Sequence, residues 1–147
     1  MADVLQLEVV TPERLLVREE VTAVQVPGAD GYLGILPGHA ALVAELGTGF
    51  MNFEAGRRKW YLAVHGGFLE VLGDHVRVLA NTAERAEEID VERARADMKK
   101  AQEQVFSASL GVDPAFALAA MASAQARLDA AAQKQLAEAV QGPTQAL

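Results

Sequence analysis

The sequence predicts an α+β chain: an N-terminal antiparallel β-sandwich followed by a C-terminal antiparallel hairpin of two helices. Three observations predict it. Ten of the twelve glycines and six of the eight aromatic residues precede residue 85. Short alternating or apolar segments recur between turn signals over that same span, as half-buried strands do. Beyond it, 12 of the 25 residues from Ala115 to Ala139 are alanine, the strongest helix former, with no glycine or proline among them. The resulting boundaries are 1–85 for the sandwich, 86–140 for the helical hairpin and 141–147 for a polar tail.

In the first part the strand-like segments are LQLEVV (5–10), VTAVQV (21–26), KWYLAVH (59–65), GFLEVL (67–72) and HVRVLA (75–80). Gly73 and Asp74 suit a tight hairpin between the last two. Roughly eight to ten strands would fill such a domain. The stretch GADGYLGILPGHAAL, 28–42, carries the signals of two successive turns around a short apolar strand. It reads equally as a sheet corner and as a rim whose glycines let another backbone approach.

In the second part Val91, Ala94, Met98, Ala101 and Val105 fall on one helical face. Leu118, Met121, Leu128, Ala132 and Leu136, with Gln125 among them, do so on a second helix. Between the two, SLGVDP (109–114) places Gly111 to end the first helix and Asp113 with Pro114 to cap and start the second. Helices of about 17 and 28 residues would be roughly 26 and 42 Å long. A seam with so few large side chains predicts docked and extended arrangements close in energy, hinged at SLGVDP.

Composition narrows the chemistry. A net charge of −7 disfavours a nucleic-acid partner. The absence of cysteine removes disulfides and thiolate metal sites. The opening MADVLQLEVV has neither signal-peptide nor transit-peptide character. No chargeless stretch reaches the ~20 residues of a membrane-spanning helix, so direct membrane insertion is not expected. His39, His65 and His75, with Glu70 or Asp74, offer metal-ligand atoms but no ligand spacing, and no metal site is predicted. No nucleophile elbow, phosphate loop or pair of catalytic carboxylates is present, so the chain is not expected to be an enzyme.

The LQLEVVTPERLL opening, the GYLGILPGHAAL signature, HGGFLEV, VRVLAN and EEIDVERA together resemble the epsilon subunits of bacterial F-type ATP synthases over nearly the whole chain. That resemblance implies a non-catalytic subunit of the rotor's central stalk. Its partners would be the gamma subunit, the membrane-embedded c-ring and, through an extended helical arm, the alpha/beta catalytic head. It would sit peripherally at the cytoplasmic face of the bacterial inner membrane. The segment from Gly31 to His39 matches the ring-facing turn, which assigns a c-ring contact to Gly31, Tyr32 and His39. Tyr32 stands where some relatives carry an acidic residue, so a hydroxyl contact would replace a charge.

IDVERA, 89–94, matches a motif by which some of these subunits resemble ATP sensors. The implied nucleotide set is Glu84, Ile89, Asp90, Arg93, Ala94, Lys100 and Arg127. A carboxylate can accept from an adenine amino group and an arginine can pair with phosphate. Asp90 also stands where the first helix begins, and spacing alone does not separate ligand from N-cap. Lys100 and Ser123 replace expected arginines, which predicts weakened phosphate binding. ATP is thus expected as a regulatory ligand, with no cofactor required. Arg93, Arg95, Lys99, Lys100 and Arg127 form the expected basic, inhibitory face. The alternative is a free-standing nucleotide-binding sensor.

Overall fold

A computed structural model describes residues 3–107 and 113–141. Seven strands come first: β1 (Leu5–Val10), β2 (Leu15–Val21), β3 (Ala23–Gly28), β4 (Gly31–Ile35), β5 (Leu42–Ala55), β6 (Arg58–Leu72) and β7 (His75–Arg85). A single 3-10 turn, Ala86–Glu88, leads to α1 (Val91–Phe106) and α2 (Pro114–Gln141). Residues 109–112 of the expected hinge, Gly111 among them, and the tail after Gln141 lie outside the described residues.

The strands form one sheet in the order β2-β1-β7-β6-β5-β3-β4. Although β2 is at an edge and β5 is fifth, the Thr22 N–H donates to the Glu54 carbonyl at 2.8 Å. The sheet therefore doubles over, and one apolar cluster, including Leu5, Val9, Val26, Phe53, Leu62 and Leu69, fills the space between its layers. The predicted antiparallel sandwich is thus present, with one departure: β1 runs parallel to β7. Gly73 makes the predicted tight turn, at φ 61°.

Seven strands of 5 to 15 residues replace the eight to ten predicted, and the reason is a shared kink. The segments 59–65 and 67–72 belong to one strand, β6. Leu62 and Val64 face the core before the glycine pair, Leu69 and Val71 after it. The inward positions change parity, which in an unbroken strand would be impossible. Gly66 (φ 67°) and Gly67 (φ 119°) absorb the change. The ladder skips the row Gly47, Gly66, Asn81 and resumes in the same register on both sides, so β5, β6 and β7 bend together. Consequently the outer face of β6 is Tyr61, Ala63 and His65 on one side of the bend, and Phe68, Glu70 and Leu72 on the other.

The helical hairpin packs through α2 onto β5 and β6. Its seam corrects the sequence prediction. On α2 the buried residues facing α1 are Ala117, Ala124 and Ala131, offset by one from the predicted Leu118, Gln125 and Ala132, all of which are exposed. Leu136 is exposed as well. On α1 only Ala94 and Ala101 are fully buried; Val91, Met98 and Val105 flank the seam, half-buried. A second row, Ala126 and Ala130, sits on Tyr61, Ala63 and Ala86. Alanines repeating every seven residues allow axes to approach at the short end of helix packing distances, which pushes the longer side chains aside. Replacing Ala124 with leucine is expected to weaken α1–α2 packing by about 1 to 3 kcal/mol. Amide exchange in α1 should accelerate accordingly while exchange in the core strands stays unchanged.

Candidate functional site

The polar centre of the molecule forms where β7, the 3-10 turn, α1 and α2 converge. β7 delivers Glu84 at its last turn-ward position, and the chain then re-enters a helix at Asp90. The Asp90 side chain accepts from the Arg93 N–H at 3.1 Å, so it is an N-cap, and this holds Arg93 in the first turn of α1 beside Glu84. Half-way along α2, Arg127 reaches back to the same place. Its Nε lies 2.6 Å from Glu84 Oε1 and its Nη1 3.4 Å from Asp97 Oδ2. One guanidinium thus joins β7, α1 and α2 through charge-assisted hydrogen bonds.

Arg127 separates two clefts. The first, of about 340 Å³, is lined by Glu84, Glu88, Asp90, Arg93 and Arg127. Glu88 is held by Arg14 of the β1–β2 turn in a two-pronged pair at 2.5 and 3.1 Å. The Arg14 hydrogen bond also lowers the proton affinity of the Glu88 carboxyl. The remaining surplus of carboxylate oxygens suits an amino-group donor. The second cleft, of about 280 Å³, is lined by Asp97, Lys100, Gln104, Ser123 and Arg127 among others. Two cations against one carboxylate suit an anion there. Both volumes are near the lower end of small-molecule sites.

Of the predicted nucleotide set, the structure brings together Glu84, Asp90, Arg93 and Arg127 in one cleft and Lys100 with Arg127 in the next. Two members do something else. Ala94 is 1% exposed within the helix seam, and Ile89 packs against the Tyr61–Ala130 cluster; both fix the hairpin and neither presents a group to a ligand. Glu88 and Asp97 were not anticipated. A carboxylate two residues before an N-cap and another between Arg93 and Lys100 on the cleft side of α1 carry no local pattern; only the folded partners Arg14 and Arg127 reveal them.

The basic residues do not share a face. Arg93 and Lys100, seven residues apart, stack on the cleft side of α1; Arg95 and Lys99 stack elsewhere on it, with Arg95 paired to Glu92 at 2.7 Å. Arg127, on the other helix, is occupied by its carboxylates. The predicted ring-facing set is likewise divided. Gly31 closes the β3–β4 turn opposite Gly28. His39 lies in the loop beyond β4, its Nδ1 2.7 Å from the Ala40 carbonyl oxygen. Tyr32 leans on Phe50, with ring centroids 5.4 Å apart, and Phe50 leans on Tyr61. Its phenol holds its proton more tightly than usual through partial burial, with the Asp129 charge on α2 adding to the effect. Tyr32 therefore joins the aromatic row of Phe50 and Tyr61 while remaining 48% exposed. Among the described residues no helix is long and apolar enough to cross a membrane.

Comparisons with known proteins agree on one family. Residues 4–86 match the family model described as ATP synthase, Delta/Epsilon chain, beta-sandwich domain. The ATP synthase epsilon chain of Solibacter usitatus (strain Ellin6076) is 60% identical over 134 residues, covering 91% of this chain and all of that one. The epsilon chain of Desulforamulus reducens is 44% identical over 131 residues, covering 89% of this chain and 99% of the relative. A chain of the Euglena gracilis mitochondrial ATP synthase superposes with a TM-score of 0.69 at 23% identity, covering 92% of this chain and 83% of that one, and so shares the fold. With the sandwich, the hairpin and these likenesses in agreement, the chain belongs to the ATP synthase epsilon chain family.

Proposed function

We propose that this chain is a non-catalytic subunit of the central rotor stalk, bridging gamma and the c-ring and regulating ATP hydrolysis through its helical hairpin. The observation that carries the regulatory part is the way the hairpin is fastened: alanine seams on two faces and one arginine shared among three elements. Apolar alanine contacts are individually small, so removal of the Arg127 contacts tips the balance. The extended arm would then enter the alpha/beta head, with Arg93, Arg95, Lys99, Lys100 and the freed Arg127 meeting acidic surfaces from several sides rather than from one stripe.

Gamma has a matching surface to dock on. Beyond the kink, the outer face of the sheet exposes Val43, Phe68, Leu72 and Leu79, with Phe68 and Leu79 directly opposite each other. Such a cluster of exposed apolar side chains, interspersed with Glu45, Glu70 and Arg77, marks an interface. The c-ring contact falls on the Gly31 turn and the His39 loop. ATP serves as the regulatory ligand, its amino group toward Glu84 and Asp90 and its phosphates toward Lys100, Ser123 and Arg127, in agreement with the charge of the two clefts. ATP must displace the carboxylates from Arg127, and this lowers its affinity. Assembly places the subunit peripherally at the cytoplasmic face of the bacterial membrane.

The test is reconstitution. The chain is expected to co-purify with gamma, and Phe68→Asp is expected to abolish that while leaving the thermal melt within a degree or two; an unaffected complex overturns this docking face. Calorimetry at millimolar ATP should show binding that Arg127→Ala removes. Absence of heat overturns the ATP reading alone. A chain that binds ATP but never gamma would be a free-standing sensor.

A further inference from the structure

β6 passes beneath α2 with Tyr61, Ala63 and His65 outward, and Tyr61 and Ala63 meet Ala126 and Ala130. His65 is the next residue of that row. Both its ring nitrogens are shut away from solvent, and among the described residues neither has a hydrogen-bond partner. A neutral imidazole always carries one donor and one acceptor, so the position favours the least polar form of the ring. The charged groups facing it are Arg127 from α2 and Glu84 from β7. Its register neighbours are the uncharged Thr48 on β5 and Thr82 on β7. Asp97 of α1 reaches Arg127 rather than the ring. Glu84 would favour an imidazolium, but its carboxylate is already engaged by Arg127 at 2.6 Å.

We propose that His65 is a proton-operated release for the helical hairpin: uncharged it lies covered by α2, and on taking up a proton it drives α2 off the sheet. This rests on the reading of the hairpin as a unit that docks and undocks. Burial and then the Arg127 charge lower the proton affinity of the covered ring below the ordinary histidine value of 6.5, with Glu84 opposing. When α2 leaves, the ring meets water and returns to that ordinary value. Docking is therefore at full strength above about pH 6.5 and weakens as the pH falls below it. Each pH unit between the covered and uncovered values changes the docking equilibrium by about tenfold.

The chain has no cysteine, so spin labels placed at Glu19→Cys on β2 and Gln135→Cys on α2 report docking in the full-length protein. The docked distance is expected to dominate at pH 8 and to lose at least fivefold against the undocked population by pH 5.5. His65→Gln, polar but unable to titrate, should give a ratio independent of pH. Independently of that variant, proton NMR of the unmodified chain should show the His65 ring titrating below the ordinary value, its signal assigned with His39→Gln and His75→Gln. The proposal is overturned by wild-type pH dependence in His65→Gln, or by a docked His65 that titrates at or above the ordinary value. Release by Arg127→Ala with no pH effect in the wild type overturns the proton release alone. If Arg127→Ala and low pH both leave α2 docked, the movable-hairpin reading fails with it.

Discussion

Gly67→Ala is expected to unfold the sandwich or to lower its melting temperature by about 10 °C or more. A Cβ at this position would stand 2.1 Å from the Leu79 carbonyl oxygen and 2.8 Å from the Ala80 Cα, both backbone atoms of the neighbouring strand. Neither can rotate away. The residue also sits at φ 119°, where an L side chain is strained by about 1 to 3 kcal/mol before any clash is counted. Overpacking adds about 1 to 3 kcal/mol, a large part of the 5 to 15 kcal/mol that holds a typical domain together. The consequence reaches past stability, because the kink at Gly66–Gly67 divides the outer face of β6 into the part under α2 and the bare apolar strip. Gly34→Ala is the control: a Cβ there meets nothing within 4 Å, so its melt should match the wild type. Circular dichroism against temperature measures both, and a Gly67→Ala melt within 2 °C of wild type would contradict the close-contact argument.

Arg127→Ala is expected to release the hairpin from the sheet while the sandwich stays folded. The arginine and Glu84 side chains are each 31% exposed, so the pair is partly desolvated and worth more than a surface ion pair. Its loss should destabilise docking by about 1 to 2 kcal/mol, a five- to thirty-fold shift in the docked fraction. The truncation also leaves Glu84 and Asp97 without the cation that separates them, and removes the side chain that, among the described residues, lines both clefts. Amide exchange in α2 should accelerate by that factor, with β6 and β7 core amides unchanged, and nucleotide binding should be lost. Arg127→Lys keeps the charge without the planar fork, so it should recover part of the docking because a single ammonium satisfies one carboxylate at a time. Unchanged α2 protection in Arg127→Ala would assign the docking energy to the alanine rows alone.

The architecture was legible because its signals are local. Glycine and aromatic density, strand alternation and an alanine run respond to the backbone within a few residues, and they gave the sandwich and the helices. Strand number was not legible in the same way. The alternation on either side of Gly66–Gly67 is out of phase, so one bent strand reads as two. The polar cluster between β7 and the hairpin was half legible: Glu84, Asp90 and Arg93 lie within ten residues of one another, and the family motif covers Asp90 and Arg93. Arg127 meets them only because α2 folds back, and Glu88 and Asp97 carry no pattern until Arg14 and Arg127 arrive.

By itself, then, the sequence determined which segments become sheet and which become helix, since those choices follow from short-range propensity and periodicity. Tertiary structure alone decided which faces close on which. Large apolar residues on α2 marked a stripe one position away from the true seam, because close approach of two helices selects alanine and leaves Leu118 and Leu136 outside. The same closure set the half-exposed Tyr32 against Phe50 and shut the His65 ring nitrogens away from solvent. Such placements depend on contacts between residues far apart in the chain, whose energies exist only once the sheet has bent and the hairpin has settled on it.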